Sequence, residues 1–355
     1  MSVNAHAALL SQFAKAGGFL DRLVETCPMR LTSNNAPEVR DLIATVMVSM
    51  VNGATRFRHF DRLRGDAASA ELFGVGRFMS CDSVRRNFAS IPAEEAMPWV
   101  WRENLRLLQD VVAEDYVLDL DPTVKPPCGC QEGAELGYSP QKPGRPSHCY
   151  HTLCIAELRM ALAVVVHPGN ETAGTHSRSM LAEYLAFVSA VRKPCLVRGD
   201  VSFGNDSVTC DCENVFDEMK NRWGWGGFTA RSFAQTALFA GLSVIAANLW
   251  NVFTRLCDDG THREAATSRP LLQSCVARIS RHARQGVITI YTAANEKAQG
   301  IYRAISAFLA KVASAAQLGV EQRRQLIVAY ALRKYGIVRR LFPPLIGRQA
   351  TLPLR

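Results

Sequence analysis

At Tyr116 the hydrophobic period of the chain changes from that of helices to that of strands. The run Tyr116-Val-Leu-Asp-Leu-Asp121 alternates, which puts Val117, Asp119 and Asp121 on one face of a strand and Tyr116, Leu118 and Leu120 on the other. Before it, apolar residues recur at helical spacing over 39–51, 57–73, 82–91 and 99–112, so residues 1–112 read as a helical N-terminal module. After it come a loop rich in proline and glycine over 122–147, apolar runs at 149–158 and 160–167, a helical stretch at 175–191 and a short strand at 194–198 that ends on Gly199-Asp200. The expected order is strand, strand, strand, helix, strand. One carboxylate stands at the end of the first strand and another at the end of the fourth.

Downstream, residues 213–223 read as a helix, 234–253 as a long apolar helix and 287–292 as a strand, giving a core over 113–255 and a basic C-terminal region over 256–355. The apolar stretch has the length of a bilayer span. Gln235, Thr236, Asn248 and Asn251 interrupt it and Arg255 follows, which favours a buried core helix and no membrane. The first residues, MSVNAHAALLSQFAKAGGF, lack a charged segment followed by a sustained apolar run, so no secretory signal and a cytoplasmic location are expected.

A hydrophobic fraction of 48% against 21% charged residues excludes disorder as the main state. Eleven cysteines, an odd number scattered from Cys27 to Cys275, fit free thiols better than a disulfide framework. The pairs Cys128/Cys130 and Cys210/Cys212, with His148, Cys149, His151 and Cys154 between them, lack the spacing of zinc knuckles. The net charge of +9 is uneven: residues 1–110 carry +1, residues 111–212 carry −4 and residues 213–355 carry +12. A basic third beside an acidic middle suggests a polyanion-binding surface next to a place for cations. Ser80 opens a helix whose first turns hold Arg85 and Arg86, and Arg323, Arg324, Arg333, Lys334, Arg339 and Arg340 recur near the C-terminus; each set either meets phosphates or faces water. For Trp223 and Trp225 packing on the core is favoured over stacking on a base.

Asp121, Asp200 and Glu213 sit at the ends of expected elements rather than in polar surface runs. Hard cations such as Mg²⁺ take oxygen ligands, and carboxylates converging at strand ends can hold two ions that activate an attacking hydroxyl and stabilise the leaving oxygen of a phosphodiester. The strand order is the early order of a ribonuclease-H-like fold.

The segments LDLDPTV, QEGAELGYSPQKPGRPSHCYHTL, LVRGDVSFGND, CENVFDEMKNRWGWGGF and HREAATSRPLL carry a family resemblance. Together they resemble the DDE-type transposases of bacterial insertion sequences, in the group whose catalytic helix bears a Y-x2-R-x3-E-x6-K signature. The resemblance implies a ribonuclease-H-like catalytic core behind a helical DNA-binding module. It makes Asp121, Asp200 and Glu213 the catalytic and metal-binding carboxylates, with Asp119 a less favoured substitute. Lys220, seven residues after Glu213, would contact DNA phosphate, with Arg222, Arg85 and Arg86 as further DNA contacts. It implies Mg²⁺, replaceable by Mn²⁺, as cofactor, and double-stranded DNA with terminal inverted repeats, bound by a homodimer at the bacterial nucleoid, as partner.

The chain departs from that group between Asp200 and Glu213. Only 12 residues separate them, and the Tyr and Arg positions of the signature fall on Asp206 and Thr209. A crossover alone takes roughly a dozen residues, so the spacing reads as an internal deletion of the fifth strand, a β-rich insertion and the start of the signature. Three functions are therefore expected: a transposase that cleaves and transfers DNA strands at element ends, an inactive remnant that only binds element DNA, or a stand-alone metal-dependent nuclease. Loss of an edge strand predicts exposed apolar surface, with reduced stability or compensation by oligomerisation.

Overall fold

The protein is seen here as a computed structural model that describes residues 6–109, 116–127, 129–137, 139, 142–171, 173–188, 193–199, 212–258, 260–273, 276–282, 285–291, 296–315 and 317–333. Its architecture is α+β. Six helices come first: α1 (His6–Gly17), α2 (Phe19–Thr26), α3 (Val39–Val51), α4 (Ala67–Phe73), α5 (Cys81–Phe88) and α6 (Ala93–Leu108), with a 3-10 helix at Phe57–Leu63. The helix expected over 57–73 is thus two short elements. Asp66 starts the second by accepting from the Ser69 N–H, and Gly74 ends it in the left-handed region. Ser80 caps α5 in the same way, accepting from the Ser83 N–H. Helix α6 begins six residues before the expected start and runs through Pro98, with Glu94 and Glu95 in its first turn.

The sheet contains β1 (Val117–Lys125), β2 (Glu135–Leu136), β3 (Pro146–Ile155), β4 (Met160–Pro168) and, after α7 (Ala173–Phe187), β5 (Leu196–Gly199). Their lateral order is β4, β3, β1, β5, with β2 extending the β4 side of β3. β3 runs antiparallel to both β1 and β4, and β5 runs parallel to β1. Strand β1 continues past Asp121 through a proline; the described pairing of β5 reaches Leu120, so among the described residues Pro122 has one strand partner, His151. Proline is tolerated there because its missing N–H need not break a ladder.

Residues directly opposite across a ladder share a face. Asp119, Asp121, Thr123 and Lys125 therefore share one face with Cys154, Thr152, Tyr150 and His148 of β3. The other face carries Leu118 and Leu120 and meets α7, where the Tyr116 and Tyr184 hydroxyls lie 3.2 Å apart. Helix α8 (Cys212–Arg222) packs beside β1, and α9 (Phe233–Cys257) lies across β4, α6 and α3. The α8–α9 turn covers the carboxylate-bearing face: the Trp225 ring stacks on Tyr150 at 5.3 Å, its indole N–H donates to Ser243 Oγ at 2.9 Å, and the Gly226 N–H donates to the Tyr150 hydroxyl. Trp223 and Trp225 are thus core residues.

Helix α9 is, among the described residues, the one helix long and apolar enough to cross a membrane, and 89% of its apolar window is buried inside the molecule. Its polar residues have internal work. Asn248 donates to Ala161 O and to Asn104 Oδ1, and Asn251 donates to Leu158 O and Arg159 O, so α9 holds the β3–β4 turn by its backbone. Arg255 is fully buried against Asn251 Oδ1 and the carbonyls of Leu158 and Gly260. Then come α10 (Ala265–Gln273), the antiparallel hairpin β6 (Val276–His282) and β7 (Gln285–Tyr291), α11 (Glu296–Ser314) and α12 (Val320–Ala331). Buried apolar side chains from Ala7 to Leu332 form one contiguous cluster. On β5, Leu196 is 51% and Val197 38% exposed.

Candidate functional site

The two aspartates of β1 have different surroundings. Asp119 is 1% exposed, and its two oxygens accept from Arg198 Nε at 2.5 Å and Arg198 Nη2 at 2.8 Å. This bidentate pair is formed because the parallel register sets Asp119 opposite Arg198. Asp119 is therefore committed to joining β1 and β5. Asp121, two residues on and half-buried, stands on the same face, one residue beyond the last paired position, Leu120 with Gly199. It lies close enough to the buried Cys149 thiol, with Glu171, for both carboxylates to add to the burial that pushes that thiol far up, to about 12. Asp200 and the side chain of Glu213 lie outside the described residues; the backbone of Glu213 is in the first turn of α8.

Lys220 and Arg222 are in the last turn of α8, Lys220 half-buried and Arg222 exposed. The strand reading to Asp121 missed Lys125, which its alternation places on the carboxylate face once β1 is continued through Pro122. The stem of Lys125 runs under Gly226, which has φ +77°, and a Cβ there would stand 2.1 Å from Lys125 Cγ. Only glycine lets the α8–α9 turn close so tightly over the end of β1.

Helix α8 also carries Glu218, with an 11% exposed side chain, 3.5 Å from His262 Nε2. Burial would raise the Glu218 pKa. The His262 ring, the Ala265 N–H at 2.7 Å and the Trp223 indole outweigh it and hold the carboxyl below its ordinary range. Beside it, the Arg269 guanidinium lies over Trp223 at 4.2 Å and donates to the carbonyls of Met50, Val51 and Arg222. His262 and Arg269 of the HREAATSRPLL segment thus fix α8 against α10 and α3.

Arg85 and Arg86 line an open groove of about 900 Å³ between α5, α6 and the start of α9, together with Arg231. Arg85 pairs with Asp82 at 2.6 Å and lies over Phe57. Of the C-terminal cations, Arg324 is buried and donates to Gly17 O, Arg333 stacks on Tyr330, and Lys334, Arg339 and Arg340 lie outside the described residues. Cys128 and Cys210 lie outside them too, as does the Cys212 side chain; Cys130 is exposed, and Cys149 and Cys154 are buried free thiols. Among the described residues no three His, Cys, Asp or Glu side chains form a group that could hold a metal ion. Compared with known proteins, the chain matches no family model, no curated protein and no solved structure.

Proposed function

We propose that this chain derives from a DNA transposase with a ribonuclease-H-like core, and that its chemistry is metal-dependent cleavage and transfer of DNA strands at the ends of an insertion sequence. The observation that carries the reading is the sheet: an antiparallel trio β4-β3-β1, then β5 reached through α7 and parallel to β1, with Asp121 on the face that α8 flanks. This is the strand order expected of that fold without its fifth strand. The donor set suits Mg²⁺ or Mn²⁺, since Asp121, Asp200 and Glu213 offer only carboxylate oxygens. Asp119, with both oxygens taken by Arg198, is unsuited to join them. Bound there, the ions would supply an activated hydroxyl and charge for the leaving oxygen. Arg198, two residues before Asp200, fixes the end of β5 against β1. Lys220 binds the phosphate beside the carboxylates, and Arg85, Arg86 and Arg222 bind DNA farther out. Two copies grip the paired inverted repeats on the bacterial nucleoid.

A second reading has its own support. Only residues 200–211 join β5 to α8, too short a stretch for a further strand with its crossover. That favours a remnant that binds element ends without cutting them. The deciding experiment is Mn²⁺-dependent nicking of duplex DNA bearing the inverted repeats that flank the coding sequence. Nicking abolished by Asp121→Asn supports the enzyme. End-specific binding without nicking supports the remnant, and equal cutting of unrelated DNA makes the protein a general nuclease.

A further inference from the structure

We infer that the groove between α5, α6 and the start of α9 is a seat for the sugar–phosphate backbone of duplex DNA, gripped by Arg86 from α5 and by Arg231 from the segment before α9. The inference rests on the DNA reading above and deepens it: it adds Arg231, and it assigns the groove to backbone rather than to bases. The groove is open and measures about 900 Å³. Its walls are tied to each other, because Gln235 Nε2 in the first turn of α9 donates to the Arg85 carbonyl at 2.9 Å. The segment that carries Arg231 is fixed as well. The Glu132 N–H donates to the Arg231 carbonyl at 3.1 Å, and the Ala230 N–H donates to Thr236 Oγ1 at 3.1 Å.

The groove is lined by three arginines and one carboxylate, Asp82. Asp82 is taken by Arg85 at 2.6 Å, whereas Arg86 and Arg231 are exposed and make no ion pair among the described residues. The uncharged lining decides which kind of partner these two cations serve. Its large apolar residues, Phe88, Ile91 and Leu238, are buried and belong to the core. What the groove exposes instead are small side chains, Ala89, Ala93 and Ala234. An amphipathic peptide helix docks through large apolar anchors seated in a hydrophobic groove, and this groove offers it none. Nor does the lining expose an aromatic ring on which an unpaired base could stack. A duplex backbone asks for less. Most contacts in protein–DNA complexes go to phosphate and sugar, and a guanidinium on either side of an unobstructed groove meets that need.

The test is equilibrium binding of the full chain to two short duplexes, one bearing the inverted repeat and one of unrelated sequence, in EDTA so that no cleavage enters. Arg86→Gln and Arg231→Gln should each make the slope of log K against log salt shallower by about 0.9, about a 3.5-fold smaller affinity loss between 50 and 200 mM salt, and equally on both duplexes. Asp82→Asn should do the opposite. It frees Arg85 for a phosphate, so the slope steepens by about 0.9 and binding tightens at 50 mM salt, a gain that misfolding cannot produce. Lys15→Gln, which removes an exposed cation of α1 outside the groove, should keep the wild-type slope. An unchanged slope for either Arg86→Gln or Arg231→Gln, an equal change for Lys15→Gln, or no binding by the wild type at 50 mM salt overturns the seat. Capture of poly-glutamate by a chain that leaves both duplexes free also overturns it and assigns the groove to an acidic protein. Altered slopes in a chain that never nicks DNA leave the seat standing and remove the enzyme; nicking with unchanged slopes does the reverse.

Discussion

Removing Arg198 tests whether its pair with Asp119 fastens β5 to the sheet. β5 has four residues, one described neighbour and two exposed apolar side chains, so packing contributes little to its position. The pair is asymmetric, with the Asp119 side chain 1% and the Arg198 side chain 26% exposed. Arg198→Met leaves a buried carboxylate without its two charge-assisted bonds. Breaking a buried pair costs about 3–5 kcal/mol, and the partial exposure of the arginine puts this one at the lower end, about 3 kcal/mol. Asp119→Asn keeps one acceptor and strands only a guanidinium that can reach water, so about 1–2 kcal/mol is expected. Asp119→Leu combined with Arg198→Met removes both charges and should lie within about 1 kcal/mol of the wild type. Urea unfolding at pH 7, followed by far-UV circular dichroism, gives the three values and the coupling between the sites. A loss under about 1 kcal/mol for Arg198→Met, or single-site effects that add to within about 0.5 kcal/mol, would refute the argument.

Two further outcomes follow from buried polar groups. The Glu218 carboxyl is held below its unfolded pKa, so its contribution is present above that value and is lost as pH falls through the folded pKa. Glu218→Gln should therefore lower the melting temperature at pH 7 and flatten the fall in stability that the wild type shows as pH drops through and below the ordinary carboxylate range, and an unchanged acid slope would contradict this. Asn248→Ala takes a donor from Ala161 O and from Asn104 Oδ1, both internal, and should cost about 2 kcal/mol. Calorimetry showing no drop in melting temperature would mean that α9 does not hold the β3–β4 turn in this way.

The sequence revealed most where one period ran cleanly. The alternation from Tyr116 and the two apolar runs before His167 became the expected strands because each buries residues on a sheet face, while the short run before Gly199 became a strand through its parallel pairing with β1. Asn248 and Asn251 argue against a membrane span on polarity, and the structure gives Asn251 its partners in the β3–β4 turn and Asn248 a partner at the start of β4. Other features depend on neighbours that no local window contains. The continuation of β1 through Pro122, which places Lys125 on the carboxylate face, depends on its pairing with β3 and not on any local pattern. Helices α1 and α2 carry a weak local signal, since their core residues Leu10, Phe13, Leu20 and Leu23 are covered by helices distant in sequence. β6 has weak alternation and follows from its partner β7. That Asp119 is the aspartate set opposite Arg198 is likewise a question of register, and Asp119 and Asp121 look alike without it.

Arg324 donates to the carbonyl of Gly17, 307 residues earlier, and α1 packs on α11 and α12. During synthesis the first helices therefore leave the ribosome long before the helices that cover them exist. At 5–20 residues per second, the wait is roughly 15–60 s. Through that interval Leu9, Leu10 and Phe13 lack part of their final cover, and the nascent chain offers an apolar surface to any chaperone at the exit tunnel.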